Sequence, residues 1–201
     1  MADRELTFWF DFASTYSYLS ASRITALTSA AGLRVIWQPF LLGPVFAAQG
    51  WTTSPFNIYP LKGDYMWRDM QRRCDALDIP LVQPDPFPQN SLRAARVALA
   101  ALQADPHRGG PGFCRAVFSA EFGQGRDISD PATLADALDE AGLDPALVER
   151  AEDPGIKQAL KEVGEKAAHL KIFGAPSFTI GSELFWGDDR LEQALGWAAR
   201  D

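Results

Sequence analysis

Hydrophobic and polar positions are most tightly patterned at the start of the chain. Glu5-Leu6-Thr7-Phe8-Trp9-Phe10-Asp11 is rich in aromatic and apolar residues and predicts a β-strand over 5–11. From Ser17 to Ala31 the texture changes to Ser, Ala, Leu and Ile. Leu19, Ile24 and Leu27 lie at near-helical spacing there, and Gly32 sits where a helix would stop. Residues 34–40 predict a second strand, with Pro39 near its end or at an edge. A strand, a helix and a strand in this order open a parallel sheet.

Residues 41–63 carry Gly43, Pro44, Gly50, Pro55, Pro60 and Gly63 and read as a loop long enough to be functional. Five helical segments follow. The first covers about 65–77 and stops before Pro80, and residues 84–88 form a rigid linker. Ser91 then caps a helix with Leu92, Ala95, Leu99 and Leu102 on one face, and residues 111–122 make a third. Asp130-Pro131 and Asp144-Pro145 each place a capping residue before a proline at the first helical position, which predicts a short helical pair. Asp153-Pro154 repeats the signal ahead of a stripe of Ile156, Leu160, Val163 and Ala167. Strands are predicted at 177–180 and 184–186 around a Gly181-Ser182 turn, with a closing helix over 189–200. The order β-α-β, helical block, α-β-β-α is the parts list of an α/β thioredoxin-like fold with a large all-helical insertion. The expected division is 1–62 and 152–201 for the sheet domain and 63–151 for the insertion.

Composition narrows the function classes. Hydrophobic residues make up 47% and charged residues 22% of the 201, a globular balance. No run approaches the roughly 18 apolar residues of a membrane span. Met1-Ala2-Asp3-Arg4-Glu5 lacks the layout of a secretory signal, so a cytoplasmic protein is expected. A net charge of −7 with scattered basic residues argues against nucleic acid as a partner. The two cysteines, Cys74 and Cys114, form no C-x-x-C pair or zinc pattern and are expected to be buried. The two histidines, His107 and His169, cannot supply a His-rich metal site, and no metal is expected.

Four clusters are candidates for chemistry. In Asp11-Phe12-Ala13-Ser14-Thr15-Tyr16-Ser17-Tyr18, hydroxyls crowd a strand-to-helix turn. Either Ser14 donates a hydrogen bond to a bound thiolate, carboxylate or phosphate, or Ser14 or Ser17 simply caps the helix. In Gly174-Ala175-Pro176-Ser177 the proline marks a strand start, or a cis peptide that turns the Ala175 backbone toward a ligand. Asp188 and Asp189, after Trp186-Gly187, are helix-start acids or ligands of an ammonium group. Lys62, Tyr65 and Asp69 gather near one helix face, as a site or as a surface ion pair. There is no G-x-S-x-G, and neither histidine is in an obvious position to activate Ser14, so a hydrogen-bonding serine is favoured over a nucleophile.

Taken together, four stretches resemble the 2-hydroxychromene-2-carboxylate isomerase family, within the DsbA-like and kappa-class glutathione transferase group. They are Phe10-Asp11-Phe12-Ala13-Ser14-Thr15-Tyr16-Ser17-Tyr18-Leu19, Lys62-Gly63-Asp64-Tyr65-Met66-Trp67-Arg68-Asp69, Phe173-Gly174-Ala175-Pro176-Ser177-Phe178 and Trp186-Gly187-Asp188-Asp189-Arg190, and the likeness spans essentially the whole chain. The resemblance implies a thioredoxin-like fold, glutathione as cofactor and a homodimer. Where DsbA-like oxidases carry C-x-x-C, this chain has Ser14-Thr15-Tyr16-Ser17. Dithiol exchange at that turn is therefore closed to it, and the sulfur would come from glutathione.

Carried over by resemblance, Ser14 is catalytic and holds the glutathione sulfur. Pro176 is a cis-proline, and Ala175 pairs with the cysteinyl backbone of glutathione. Trp186, Gly187, Asp188 and Asp189 hold the γ-glutamyl end. Val45, Trp51, Lys62, Tyr65, Asp69 and Asn90 match substrate-side positions; Trp51 departs from the asparagine that the family often has after this glycine. The implied reaction interconverts 2-hydroxychromene-2-carboxylate and trans-o-hydroxybenzylidenepyruvate in aromatic hydrocarbon breakdown, by reversible thiolate addition that frees a double bond to rotate. Phe46, Trp51, Phe56 and Tyr59 are expected to wall the aromatic substrate, and Lys62 to face its carboxylate. Two rivals stay open: a kappa-like glutathione transferase that conjugates electrophiles, and a thioredoxin-like binding module without redox chemistry.

Overall fold

The computed structural model describes residues 5–199, so the expectations for Met1–Arg4 and for a helix end at Arg200 lie outside the described residues. Strands β1 (Glu5–Phe10), β2 (Arg34–Pro39), β3 (Ser177–Ile180) and β4 (Glu183–Trp186) form one sheet in the order β2-β1-β3-β4. β1 and β2 are parallel, with Phe8 opposite Trp37, and β3 is antiparallel to both β1 and β4. β1 is buried on both faces, which explains why it reads as a nearly continuous apolar run. Leu6, Phe8 and Phe10 face the main core, while Trp9 faces Phe40, Ala167 and Ile172 on the other side. Phe8 and Phe10 pack against each other and against Trp37, Phe178 and Phe118 with ring centroids 5.1 to 5.7 Å apart. Phe8 stacks on Phe178, and the other pairs are tilted or edge-to-face, the arrangements aromatic rings prefer at such separations.

Helix α1 (Thr15–Ala30) starts two residues before the expected Ser17, because Ser14 is its N-cap. It ends as the sequence suggests: Gly32 adopts φ +66°, a left-handed conformation that costs glycine little. The expected loop over 41–63 is corrected. It holds α2 (Leu42–Ala48), α3 (Pro55–Ile58) and the start of α4 (Pro60–Leu77). Pro44, Pro55 and Pro60 punctuate the sequence like loop residues, but each occupies a first helical turn, where a missing N–H leaves no bond unmade.

The remaining helices are α5 (Leu92–Ala104), α6 (Gly109–Phe118), α7 (Pro131–Glu140), α8 (Pro154–His169) and α9 (Leu191–Ala198). α6 stops short of the expected Phe122 and continues as a π-helical turn, Ser119–Gly123. A 3₁₀ segment, Pro145–Glu152, follows α7, and another, Asp188–Arg190, precedes α9. Asp130 and Asp144 cap as expected, accepting from the N–H groups of Ala132 and Ala146 at 3.0 and 2.9 Å. Asp153 instead accepts from Arg150. The boundary drawn at 62/63 falls inside α4 and that at 151/152 inside the 3₁₀ segment. Phe113, Val117, Leu134 and Leu138 of the helical block share one apolar cluster with the sheet. Among the described residues no helix is long and apolar enough to cross a membrane, and no group of three His, Cys, Asp or Glu side chains is placed to hold a metal ion.

Candidate functional site

The carboxyl end of β1, the N-terminus of α1 and the turn before β3 meet at one cleft of about 1190 Å³. Typical small-molecule sites offer roughly 300–1,000 Å³, and this cleft is slightly larger. Ser14 lies at its centre. Its Oγ accepts from the Ser17 N–H at 3.2 Å and donates to the Ala175 carbonyl at 3.1 Å. The two readings of Ser14 are therefore compatible: one hydroxyl caps the helix and faces the peptide before Pro176, which is cis.

Trp186 closes the neighbouring wall. A Cβ on Gly174 would stand 2.3 Å from the Trp186 indole nitrogen, so only glycine lets the ring lie this close. Phe173 flanks that ring with centroids 4.9 Å apart. The two acids that follow have different fates. The Asp188 side chain is fully buried, accepting from Ser20 at 2.7 Å, from Arg23 at 2.9 Å and from Arg73. Its carboxylate ties α1 to α4 and is not free for a ligand's ammonium group, which corrects that expectation for its side chain. Asp189 keeps an exposed carboxylate beside Arg190.

Trp51, Lys62, Asp69 and Asn90 line the cleft, as do Phe46 and Phe56. Val45, Tyr59 and Tyr65 do not appear on its wall. α2 turns Val45 toward the cluster around Trp9 and Phe40. Tyr65 is rotated roughly 60° around α4 from Lys62 and points to solvent. Tyr59 is exposed too, with the Lys62 ammonium 4.8 Å from its ring centroid.

Several cleft residues carried no local signal. Tyr16 donates to Asp69 at 2.9 Å, and burial, followed by the Asp69 hydrogen bond and charge, pushes its phenol above the usual range. Arg73 meets Asp188 from 115 positions away. Asp11 is almost completely buried at the cleft wall; its carboxylate accepts from the N–H groups of Leu42 at 2.7 Å and Ala13 at 3.0 Å. Burial raises its pKa against the pull of those bonds. Ser91 holds the cap position of α5 but does not cap; Asn90 accepts from the Leu92 N–H instead. Cys74 and Cys114 are buried away from the cleft, and burial pushes the Cys74 thiol up to about 11.

A thioredoxin-like sheet, with a helix N-terminus facing a cis-proline and serine in the thiol position, defines a DsbA-like protein without its own redox pair. The chain matches the DSBA-like thioredoxin domain over residues 5–196. It is 31% identical to 2-hydroxychromene-2-carboxylate isomerase of Pseudomonas sp. (strain C18), covering 95% of this chain and 90% of that one. Identity to the Pseudomonas putida isomerase of the same name is 29%, over 96% and 95% of the two chains. A solved structure of 2-hydroxychromene-2-carboxylate isomerase superposes with TM-score 0.83 at 29% identity, over 98% of this chain and 96% of that one. The chain belongs to the 2-hydroxychromene-2-carboxylate isomerase branch of the DSBA-like thioredoxin family.

Proposed function

We propose that the protein is a glutathione-dependent isomerase that interconverts 2-hydroxychromene-2-carboxylate and trans-o-hydroxybenzylidenepyruvate. The names of its relatives support the reaction. The observation that carries the cofactor is Ser14: a hydroxyl at a helix N-terminus, facing the Ala175 carbonyl, in a cleft to which neither cysteine contributes.

The cleft residues suit the tripeptide. The first turn of α1 offers N–H groups without helical partners and a positive dipole end, which favour a thiolate. Ala175 presents its backbone between Ser14 and Trp186. Asp189 is an exposed acid for the ammonium group, and Lys62 is a cation for a carboxylate. When bound, glutathione supplies the nucleophilic sulfur for reversible addition to a conjugated double bond. The chain's own work is electrostatic. Ser14 turns its hydroxyl from Ala175 to the sulfur, exchanging a neutral hydrogen bond for a stronger, charge-assisted one to the thiolate. Lys62 pairs with the substrate carboxylate, and Phe46, Trp51 and Phe56 pack on the aryl ring.

Calorimetric titration with reduced glutathione, followed by an isomerisation assay with and without it, tests this reading. Binding and strictly glutathione-dependent isomerisation are expected. Ser14→Ala should lower kcat/KM by about 10²–10³-fold while costing only about 1 kcal/mol of stability as a lost cap. No binding at millimolar glutathione, or wild-type turnover by Ser14→Ala, overturns it. A stable glutathione adduct in place of the isomer would make the protein a transferase.

A further inference from the structure

Asp11 is a buried acid of the cleft wall that the reading above leaves unused. It follows the end of β1, and its two carboxylate oxygens hold different parts of the cleft. Oδ1 accepts from the Ala13 N–H at 3.0 Å, closing an Asx turn. The Asp11 carbonyl accepts from the Ser14 N–H at 3.0 Å in the same turn, so Asp11 shapes the loop that aims the Ser14 hydroxyl. Oδ2 reaches 31 positions along the chain and accepts from the Leu42 N–H at 2.7 Å. That N–H opens α2, whose own cap position, Leu41, makes no side-chain cap bond. One of the orphan donors at the start of α2 is thus met from the end of β1.

The segment so fastened has little else to hold it. None of residues 41–53 is buried, although Leu42 and Val45 pack in part against the cluster around Trp9 and Phe40. Few buried contacts leave a segment free to open locally. The same segment carries the aromatic wall. Phe46 lies four residues after Leu42, on the same face of α2. The Phe46 carbonyl accepts from the Trp51 N–H at 2.9 Å, and the two rings stand 5.9 Å apart. Leu42, Phe46 and Trp51 line the cleft together with Ser14. We infer that Asp11 is a positioning residue: its carboxylate fixes the aromatic wall relative to the Ser14 hydroxyl, so that a ring docked on Phe46 and Trp51 meets the sulfur in register. The inference rests on the proposed isomerase function. Asp11 acts here through two backbone N–H groups and not on the reacting atoms.

Asp11→Asn and Leu42→Pro test it from the two ends of one bond. Asparagine keeps the Asx turn with Ala13 through its carbonyl oxygen and sets an NH₂ group, itself a donor, against the Leu42 N–H. Leu42→Pro removes that N–H at a first helical position, where proline is tolerated. Leu41 is already extended, at φ −113° and ψ 127°, as a residue before proline must be. Each variant should raise the substrate KM about tenfold, the worth of one buried hydrogen bond. Each should leave kcat and, by calorimetry, glutathione affinity near those of the wild type. The double variant should be no worse than the poorer single, because both remove the same bond. Amide hydrogen exchange should speed up over residues 42–51 in both variants and stay slow in β1 and β3. Wild-type KM in either variant, losses that multiply in the double, unchanged exchange over 42–51, or a fall in glutathione affinity without a change in KM overturns the inference and leaves the glutathione reading standing. A wild-type protein that binds glutathione yet never isomerises the substrate overturns both.

Discussion

Glu121→Gln keeps the size of the side chain and removes its ability to ionise, so it isolates the cost of one buried acid. In the native fold, burial first, then the charges of Asp11 and Asp127, raise the Glu121 pKa well above its ordinary value. In the unfolded chain it returns to about 4.3. The native state therefore binds more protons than the unfolded one between those two values, and stability falls as pH rises through that interval. The stabilising condition is fully present below about pH 4 and lost toward the native pKa. The slope is about 1.4 kcal/mol per pH unit for one proton. Asp11 is raised as well and adds a slope of the same sign, but it is common to both proteins and cancels in their difference. Asp105 and Glu152 are lowered, by backbone N–H groups and by Lys157 respectively, and act only on the acid side of the ordinary range. Urea unfolding of both proteins between about pH 5 and pH 8 reads the effect. The stability of Glu121→Gln relative to wild type should climb by about 1.4 kcal/mol per unit until Glu121 ionises in the native state. The new amide hydrogens can shift the offset between the curves but not their divergence. Parallel curves would refute the reasoning, because they would mean that Glu121 is not held neutral by its surroundings.

The two acids after Gly187 should separate cleanly. Asp188→Ala strands Arg73 and takes one of its two acid partners from Arg23, which keeps Glu192, and should cost about 3 kcal/mol, the lower end for a broken buried pair, since both guanidiniums keep some solvent; Asp189→Ala should leave stability nearly unchanged and weaken glutathione binding by calorimetry. Equal stability losses in the two variants would sink that division. Gly174→Ala forces Trp186 off the wall and away from Phe173, at about 1 kcal/mol because the ring is half-exposed and free to swing. The near-ultraviolet circular dichroism should change and glutathione affinity fall; an unchanged spectrum would show that the ring does not lean on Gly174.

What could be read from the sequence was whatever the chemistry keeps local. β3 appears at its predicted bounds because alternation and a Gly181-Ser182 turn are written within a few residues. The Asp-Pro pairs announced three helical starts for the same reason. α1 began earlier than expected because two serines three apart are equally good caps; only the contact of Ser14 with Ala175, 161 positions away, marks which one faces the cleft. Prolines misled at 41–63 because a residue that breaks a helix interior also starts a helix well.

The site divides along the same line. Serines in the place of a C-x-x-C pair are a local exchange, and they directed attention to an external thiol at once. Buried polar groups have no such signature. Asp11 reads as the end of a strand, Ser91 as a cap and Glu121 as one polar position in a helix, and each reading fits its own segment. Only the folded chain shows Asp11 buried with its carboxylate on the N–H groups of Ala13 and Leu42, Ser91 spared from capping, and Glu121 buried with neither oxygen paired.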